Sequence, residues 1–554
     1  MIKENFVKMY EQVFRENWAL PAFTNYKEAK TFTVADVAQW STKVHLLLEH
    51  NGIQQGDHVA LVGKDCAEWC MIWMGIATYG AVVVPILPDF HRSDIIHILN
   101  HSQSKLVFAG PEHLKMLTRE EIPNTVGVFG IEDLKPVDHL CLSPITSNTD
   151  IEAIFQAKYP NKFTRDDIHF PEVDNKELMV ISYTSGTAGF SKGVMTTANN
   201  LAANIVFSLT QDMQSRGDNL LCFLPNAHSY SCAFNFLLPL RVGAHVYILG
   251  QKPTPTVLLK ALKEVRPRLI LSVPLVLEKI YKSVLAPQLS STKVKIALNT
   301  PILRQTVLKK FRQALIDALG GNLHSFIVGG AALNSEIADF LYKIKFPITV
   351  GYGMTECAPL VSYCKPKDYT PRTCGKVLHM IEELRIADAQ EIEGKRVGEI
   401  QIKGENVCMG YFRDEKATSE LFTEDGWMKT GDLGYIEKHF VYLRGRSKAM
   451  LLGPNGQNIY PEEIEAKIAM LPFMNEAIVV QREGKKNVAI VTIDRAALEK
   501  AGRNNDKEIE KILEENRQLL NQSIASFAQV AMFELLEGDF EKTPKQSIKR
   551  YLYN

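Results

Sequence analysis

The chain contains 554 residues, which is too long for one hydrophobic core and predicts roughly two to four domains. Apolar residues make up 46% of it and charged residues 23%, ordinary values that argue against long disorder. Acidic and basic residues balance at 63 each, so no net field favours nucleic acid or an anionic membrane surface.

The first part of the chain alternates helical and strand patterns. Short buried runs rich in valine and isoleucine separate stretches with apolar residues at helical spacing, and turn residues such as Gln55-Gly56-Asp57 lie between them. This alternation is typical of sheets covered by helices. The predicted helices are 34–51, Ala67–Tyr79 and 92–102, and the predicted strands are His58–Val62, 81–86 and Leu106–Ala109.

The alternation continues to about residue 330, after which two segments change in character. Residues 371–434 hold short strands and many turns, which predicts a small β-rich subdomain. Past Arg446 the pattern predicts a compact α+β unit, with Pro461 in the first turn of a helix. The further predicted strands are 178–183, 219–224, 243–249, 268–272, 325–329, 398–402, 477–481, 488–493 and 530–536, and the further predicted helices are 460–471 and 506–526.

Two stretches without charged residues, 69–88 and 219–240, approach the length of about 20 residues that a membrane span needs. Two glycines and a proline interrupt the first, which is predicted as a helix followed by a strand. The second contains Pro225, Asn226, His228 and Asn235, which favour a loop. Residues 1–14 lack the apolar run of a signal peptide. No transmembrane segment is expected, and peripheral membrane contact stays open.

The nine cysteines are scattered and odd in number. Cys66 and Cys70 are four residues apart in a helical stretch, which is not a zinc-binding spacing. We interpret the cysteines as buried reduced thiols, which fit the reducing cytoplasm.

The sharpest local signal is the segment Tyr183-Thr-Ser-Gly-Thr-Ala-Gly-Phe-Ser-Lys-Gly193, which follows a predicted strand. Its glycines let the backbone approach a ligand closely, and its hydroxyls and one lysine suit a polyphosphate. It is not a Walker loop, because Gly193 follows Lys192. The candidate phosphate-binding residues are Thr184, Ser185, Gly186, Thr187, Gly189 and Lys192.

Further motifs follow in order along most of the chain. They are Gly329-Gly-Ala-Ala332, Gly351-Tyr-Gly-Met-Thr-Glu356, Thr430-Gly-Asp432, Arg444-Gly-Arg-Ser-Lys448, Gly456-Gln-Asn458 and Pro461-Glu-Glu-Ile-Glu465. Together with the phosphate loop they resemble the adenylate-forming superfamily, which includes acyl-CoA synthetases, peptide-synthetase adenylation domains and firefly luciferases. Six motifs in the family's order are far more specific than any one of them.

The resemblance implies a role for each motif. Glu356 would be a magnesium ligand, which suits a hard carboxylate oxygen. Asp432 would accept hydrogen bonds from the ribose hydroxyls, with Arg446 as an added donor, and Tyr352 would offer a flat face to the purine. The nucleotide-binding residues implied are the phosphate-loop set together with Gly329, Gly330, Ala331, Gly351, Tyr352, Gly353, Thr355, Asp432, Arg446 and Gly456.

Two other segments narrow the implied class. Leu224-Pro-Asn-Ala-His228 resembles the motif that flanks the carboxylate site, although a lone histidine is more often structural. Residues 268–279 resemble a stretch of long-chain acyl-CoA synthetases and also read as a buried strand followed by a helix after Pro274. A fatty acid is therefore the favoured substrate.

The family's chemistry implies attack of a carboxylate on the α-phosphate of ATP, followed by transfer of the acyl group to a thiol. ATP, Mg²⁺ and coenzyme A are the implied cofactor and substrates, and Lys448 takes the hinge position about which the small domain rotates. The catalytic residues implied are Lys192, His228, Thr355 and Glu356.

The chain departs from the family pattern where an adenylation lysine is expected. Aligned on Lys542-Thr543, that lysine falls on Ser547, and Lys545 and Lys549 lie two residues to either side. A neighbouring lysine could serve instead, and Lys549 is the preferred candidate, on the assumption of an extended strand end. Slow adenylation and loss of adenylation are the alternatives. The phosphate loop also has Ala188 and Ser191 in place of a threonine and a proline.

The predicted fold class is α/β, with a large N-terminal domain of helix-covered sheets, 1–446, that includes a small β-rich subdomain. A small mobile α+β domain, 447–554, follows it. The predicted function is a fatty-acid or related carboxylate CoA ligase. Two alternatives stay open: transfer to the phosphopantetheine arm of an acyl carrier protein, and a nucleotide- or acyl-binding protein without turnover.

Overall fold

The computed structural model describes residues 2–184, 192–289, 291–452, 458–482, 486–543 and 548–553. The chain forms two compact units. The first comprises Met1–Gly186, Ser191–Glu383 and Lys403–Gly426, and the second comprises Thr187–Phe190, Leu384–Ile402 and Trp427–Asn554. The predicted domain boundary between residues 446 and 447 marks the part of the chain that is expected to move. That boundary stays a prediction.

One sheet of the first unit has six strands, of which all but the last run parallel. The last strand, Lys192–Thr197, pairs antiparallel with Leu178–Thr184. The order across the sheet is Gly127–Gly130, Leu106–Ala109, His58–Val62, Val82–Ile86, Leu178–Thr184 and Lys192–Thr197. The predicted strands 58–62 and 106–109 match to the residue, and 81–86 and 178–183 shift by one residue at an end.

The second sheet of this unit has seven strands, and six of them are parallel. Its order is Ile348–Val350, Ser325–Val328, Leu269–Ser272, Asn219–Cys222, His245–Ile248, Pro21–Asn25 and Lys30–Thr33. The last strand pairs antiparallel with its neighbour. Because the five strands between residues 219 and 350 run the same way, the loops at their carboxyl ends meet at one edge.

Helices cover both sheets of the first unit. Ala67–Tyr79 contacts strands of both sheets, and every residue from Ala67 to Thr78 is buried. Trp73 meets Phe236 edge-to-face, with ring centroids 5.4 Å apart. The longer helices are Phe6–Glu16, Val34–His50, Ala67–Tyr79, Arg92–His101, Ile151–Lys158, Ala198–Thr210, Pro255–Val265, Pro274–Val284, Thr292–Asn299, Pro301–Ala318 and Ser335–Lys343.

The structure agrees with the prediction for one of the two stretches without charged residues and differs from it for the other. Residues 69–88 form most of a helix and the strand Val82–Ile86, as predicted. The loop predicted in 219–240 is wrong beyond His228, because Ser229–Val242 is helical with a π-helical stretch in it. Asn235 is accommodated there by donating a hydrogen bond from Nδ2 to Ser231 Oγ, 3.0 Å away. Across the described ranges, every helix is too short or too polar to span a bilayer.

The second unit combines an antiparallel ladder with the C-terminal α+β part. Strands Lys395–Gly404, Met428–Glu437 and Phe440–Arg446 pair antiparallel in that order. The C-terminal sheet holds Met474–Arg482, Lys486–Ile493 and Val530–Leu535, covered by helices Pro461–Ile468 and Asp506–Gln522. Its core contains Ile464, Ile468, Val491 and Ile512. The predicted α/β fold class, with a larger sheet–helix part and a smaller C-terminal part, is confirmed.

Candidate active site

The two ends of the predicted phosphate loop lie side by side on paired strands. Thr184 ends one strand and Lys192 begins the next, and the two are register partners. Thr184 Oγ1 donates to the carbonyl of Lys192 over 3.5 Å, so the loop between them is closed at its base. The loop residues Ser185, Gly186, Thr187 and Gly189 lie outside the described residues.

A segment that the sequence analysis did not single out runs beside Lys192. Met409 N–H donates to the carbonyl of Met195, and Met195 N–H donates to the carbonyl of Gly410, each over 2.9 Å. Phe412 N–H donates to the carbonyl of Gly193 over 2.7 Å. This backbone ladder places Tyr411 next to the base of the phosphate loop.

Tyr411 joins the predicted cation to the predicted metal ligand. Its hydroxyl donates to Glu356 Oε1 over 2.9 Å, and Lys192 Nζ lies 4.8 Å from its ring centroid, within cation–π range. Burial, then the Glu356 carboxylate, raises the pKa of Tyr411 above its ordinary value. The phenol therefore stays protonated and acts as a donor that orients Glu356 and as a platform for Lys192.

Glu356 and Thr355 lie on a short 3-10 turn, Thr355–Cys357. Cys408 N–H donates to the carbonyl of Glu356 over 2.8 Å, which fixes this turn against the segment that carries Tyr411. Thr355 is buried. The backbone of Glu356 is thus fixed against this segment, and the Tyr411 hydroxyl orients its carboxylate.

Glu356 fits a magnesium ion of the kind that is bound together with a nucleotide. No group of three or more histidine, cysteine or acidic side chains forms a metal cage within the described ranges. Mg²⁺ commonly takes only one or two carboxylates and completes its shell with phosphates and water. A partly exposed carboxylate near the base of a phosphate loop matches that donor set.

Three predicted loops meet at the carboxyl edge of the seven-stranded sheet. They follow strands Asn219–Cys222, Ser325–Val328 and Ile348–Val350, and they carry His228, the 329–331 glycine segment and the 351–353 segment. Gly351 N–H donates to the carbonyl of Val328 over 2.9 Å, which links two of these loops. Ligands of open parallel sheets bind outside the carboxyl ends of the strands, so these predicted residues are brought together where a ligand would be expected.

The backbone at this edge depends on glycine at two positions. Gly330 has a φ of 85°, and Gly330 and Ala331 are exposed at the edge. A Cβ on Gly353 would lie 2.3 Å from the carbonyl oxygen of Pro359, so only glycine fits. Tyr352 is 7% exposed, which leaves little of the flat face expected to meet a purine.

Tyr230 links the His228 loop to the glycine segment. Its hydroxyl donates to the carbonyl of Ile327 over 3.3 Å, and its ring lies against Gly329, where an added Cβ would be 3.3 Å from the ring. No sequence motif pointed to Tyr230, since a tyrosine in an apolar run is usually structural.

Asp65 braces the His228 loop from the other sheet of the unit. It follows strand His58–Val62, and its Oδ1 accepts the Asn226 N–H over 2.9 Å. Asn226 is itself buried and accepts a hydrogen bond from Ser231 Oγ over 2.8 Å. Burial, aided by the charge of Asp89, raises the pKa of Asp65 from 3.8 to about 7. No sequence motif pointed to this carboxyl group.

Asp65→Asn should flatten the dependence of stability on pH. Because the pKa of Asp65 is higher in the folded state than its ordinary value of 3.8, the folded protein binds this proton more tightly. Stability should therefore fall as pH rises from about 4 to about 7, by roughly 1–3 kcal/mol. Urea unfolding at several pH values should show this slope in the parent and its loss in Asp65→Asn. Asp166→Asn, at an exposed position, is the matched control, and parallel curves for parent and Asp65→Asn would refute the assignment.

Asp432 and Arg446, the residues expected at the ribose, form an ion pair in the second unit. They are register partners on adjacent strands, and Arg446 Nε lies 2.8 Å from Asp432 Oδ1. Asp432 is buried and Arg446 is mostly exposed. The structure thus brings this predicted pair together. Gly456 lies outside the described residues.

The C-terminal lysine segment of the second unit is held by ion pairs. Lys542 Nζ is 2.8 Å from Glu476 Oε2, Lys549 Nζ is 3.5 Å from Glu541 Oε2, and Arg550 pairs with Glu465. Lys542 and Ile548 form a single β-bridge, and a 3-10 turn follows from Arg550. Lys545 and Ser547 lie outside the described residues, so the face shared by Ser547 and Lys549 stays a prediction.

The chain is similar in sequence to a known protein family and to characterised enzymes. The sequence matches the family described as AMP-binding enzyme over residues 10–412. It is 28% identical over 507 residues to the long-chain-fatty-acid–CoA ligase FadD15 of Mycobacterium bovis, covering 86% of this chain and 79% of that protein. It is 27% identical over 490 residues to 4-coumarate–CoA ligase 1 of Petroselinum crispum, covering 84% and 80%.

Among solved structures, the fold is similar to that of the anthranilate CoA ligase AuaEII in complex with anthranoyl-AMP. The TM-score is 0.77 at 17% sequence identity, over 99% of this chain and 96% of that one. At this identity the likeness concerns the fold alone.

Proposed function

The chain belongs to the family of AMP-binding enzymes and is an acid–thiol ligase of the AMP-forming kind, and from that premise we propose that it activates a fatty acid with ATP and transfers the acyl group to coenzyme A. The observation that carries the proposal is the cluster of Lys192, Tyr411 and Glu356. In this cluster a cation and a carboxylate contact the same tyrosine at the base of the phosphate loop.

In the first step, a carboxylate oxygen of the acid attacks the α-phosphorus of ATP. The new P–O bond forms as the bond between the α-phosphorus and its bridging oxygen breaks, and pyrophosphate leaves. Negative charge gathers on the phosphate oxygens, so positioning and charge stabilisation dominate the catalysis. Lys192 supplies positive charge, and Thr184 holds the base of the loop through its hydrogen bond to the Lys192 carbonyl.

Glu356 would hold Mg²⁺, and when bound the ion would neutralise phosphate charge. The part of this chain is to orient that carboxylate. The Tyr411 hydroxyl, donating over 2.9 Å, does the aiming. Asp432 would accept the ribose hydroxyls, and the glycine segments at the sheet edge would bind the base.

In the second step, the thiol of coenzyme A loses its proton and its sulfur attacks the acyl carbon. The C–S bond forms, the C–O bond to AMP breaks, and AMP leaves with the oxygen that came from the acid. His228, at the carboxyl edge of the sheet beside the glycine segment, would flank the acyl carbon. Lys448 would be the hinge between the two steps.

A fatty acid is proposed because residues 268–279 resemble long-chain enzymes and because FadD15 carries that name. Strand Leu269–Ser272 and helix Pro274–Val284 form this stretch as predicted. An aromatic acid is the second candidate, since 4-coumarate–CoA ligase 1 is nearly as similar. Transfer to a carrier-protein arm is the remaining alternative for the acceptor.

A panel of carboxylic acids tests the proposal. Saturated acids of increasing length and aromatic acids such as 4-coumarate are each incubated with ATP, Mg²⁺ and coenzyme A, and AMP is measured. The proposal expects fatty acids to give the highest kcat/KM and AMP formation to need free coenzyme A. A clear preference for aromatic acids would move the substrate to the second candidate. Product formed only with an acyl carrier protein would change the acceptor.

Lys549→Ala should slow acyl-adenylate formation far more than thioester formation from synthetic acyl-adenylate. Lys549 is the proposed replacement for the lysine expected at Ser547, and it would have to leave Glu541, 3.5 Å away, to act. Lys545→Ala is the matched comparison and should change neither rate by much. If Lys549→Ala and the double variant both form adenylate at the parent rate, the cation comes from elsewhere, and Lys192 is the first candidate.

A cytoplasmic location is part of the proposal. Among the described residues no disulfide joins any of the nine cysteines, and Cys70, Cys222, Cys232, Cys357, Cys364 and Cys408 are buried. Reduced thiols in this number fit a reducing compartment.

A further inference from the structure

The overall neutrality of the chain conceals a strongly basic segment. Between Glu278 and Asp317 there is no acidic residue, although the chain as a whole balances its charges. A segment of one sign in a neutral protein creates a local field that the net charge does not report. Its basic residues are Lys279, Lys282, Lys293, Lys295, Arg304, Lys309, Lys310 and Arg312.

Residues of three helices of the first unit line one cavity, to which Arg304 of the basic segment and Lys343 contribute positive charge. The helices are Thr292–Asn299, Pro301–Ala318 and Ser335–Lys343. The cavity is open to solvent, has a volume of about 500 Å³, and is lined by Leu298, Asn299, Pro301, Arg304 and Lys343. Within the described part of the chain, neither lining cation has an acidic partner. On the third helix, Asp339 is paired with Arg372 at 3.0 Å, and Glu336 lies at the end opposite Lys343.

Large apolar side chains are exposed on the same three helices. Ile296 is 62% exposed, Leu303 is 49% exposed and Tyr342 is 52% exposed. Each lies within two residues of a residue that lines the cavity. Since single exposed apolar residues are common on proteins, the informative feature is that these three lie on the helices that line a cavity with two unpaired cations.

The helix Pro301–Ala318 is amphipathic. Leu308, Phe311 and Leu315 are buried, whereas Arg304, Lys309, Lys310 and Arg312 are exposed. The inner face therefore packs against the core of the unit. The outer face exposes these cations together with Leu303.

We propose that this surface, defined by Ile296, Leu303, Arg304, Tyr342 and Lys343, binds the anionic headgroups of a phospholipid membrane. Cations among exposed apolar side chains are the composition that holds a helix in the membrane interface. Anionic lipid attracts such cations from within a Debye length. Arg304 and Lys343 contact the headgroup phosphate in the cavity, and the three apolar side chains enter the acyl boundary.

A membrane fits this surface better than a nucleic acid or a second copy of the chain. A nucleic acid would use the cations but not Ile296 and Leu303, which are aliphatic and offer no ring to stack on a base. A second copy would bring the same positive charge to the contact and repel it. The inference is independent of the proposed reaction, because none of these residues belongs to the site around Glu356.

Vesicle co-sedimentation of the full-length protein tests the proposal. The parent should bind vesicles of phosphatidylglycerol and phosphatidylcholine, and should bind pure phosphatidylcholine vesicles far less. Arg304→Glu/Lys343→Glu should weaken binding to the anionic vesicles by about tenfold or more. Ile296→Ser/Leu303→Ser should weaken it as well, most visibly at about 0.5 M salt, where the charges are screened.

Lys115→Glu/Lys162→Glu is the matched control, since it makes the same change in net charge at exposed positions outside the three helices. It should bind the anionic vesicles within about twofold of the parent. Circular dichroism and thermal unfolding check that all variants fold. Equal binding of the parent to neutral and anionic vesicles, or equal loss in the control pair, would overturn the proposal. A dimer that the Arg304→Glu/Lys343→Glu pair abolishes, without vesicle binding by the parent, would overturn it too.

Discussion

Glu356→Gln should lower kcat for acyl-CoA formation by about a hundredfold or more, because the proposed magnesium site at the base of the phosphate loop would lose an anionic ligand. The glutamine amide oxygen can still accept the Tyr411 hydroxyl, which now lies 2.9 Å from the carboxylate, so the fold should survive. Steady-state kinetics across a range of Mg²⁺ concentrations measure the effect, and the loss should be largest at limiting Mg²⁺.

Two companion variants separate the metal role from general damage. Tyr411→Phe removes only the donor that aims Glu356, and it should cost about tenfold, with part of the loss recovered at high Mg²⁺. Glu420→Gln, at an exposed position, should leave turnover unchanged. Near-parental turnover of Glu356→Gln at limiting Mg²⁺ would rule out the ligand assignment.

Lys448→Pro should separate the two half-reactions. Lys448 is exposed in the short 3-10 turn Ser447–Ala449, and proline would lock φ near −65° and restrict the backbone of Ser447 before it. An exposed position should tolerate the substitution, and the variant should hold the turn in one conformation. If the turn is the hinge, one half-reaction should fall at least about tenfold more than the other.

Pyrophosphate release in a single turnover measures the first half-reaction, and thiolysis of synthetic acyl-adenylate measures the second. Lys448→Ala leaves φ free and should keep both rates near those of the parent. Equal losses in both half-reactions of a folded Lys448→Pro variant would remove the hinge assignment.

The fold was predictable wherever a local pattern and the tertiary structure agree. The helix Ala67–Tyr79 and the strand His58–Val62 match to the residue, because buried parallel sheets need short apolar strands joined by helices. Thr184 and Lys192 are register partners on adjacent strands, as are Asp432 and Arg446, and their roles in nucleotide binding stay predictions.

The rest depends on contacts between residues far apart in sequence. Tyr411 became visible only when its strand paired with Lys192–Thr197, and a Gly-Tyr dipeptide has no signal of its own. Asp65 acts on Asn226, 161 residues away. The helix Ser229–Val242 was missed because Pro225, Asn226 and His228 are turn residues, although only the part beyond His228 is helical. The basic segment was hidden by a net charge of zero.

Isotope transfer from the acid to AMP tests the central claim most directly. A fatty acid carrying ¹⁸O in both carboxyl oxygens is converted with ATP and coenzyme A, and the AMP is analysed by mass spectrometry. Attack of the carboxylate on the α-phosphorus predicts one labelled oxygen in each AMP, with the other retained in the thioester carbonyl. Unlabelled AMP together with label in phosphate or pyrophosphate would contradict the account, because the acid would then have been activated at another phosphorus.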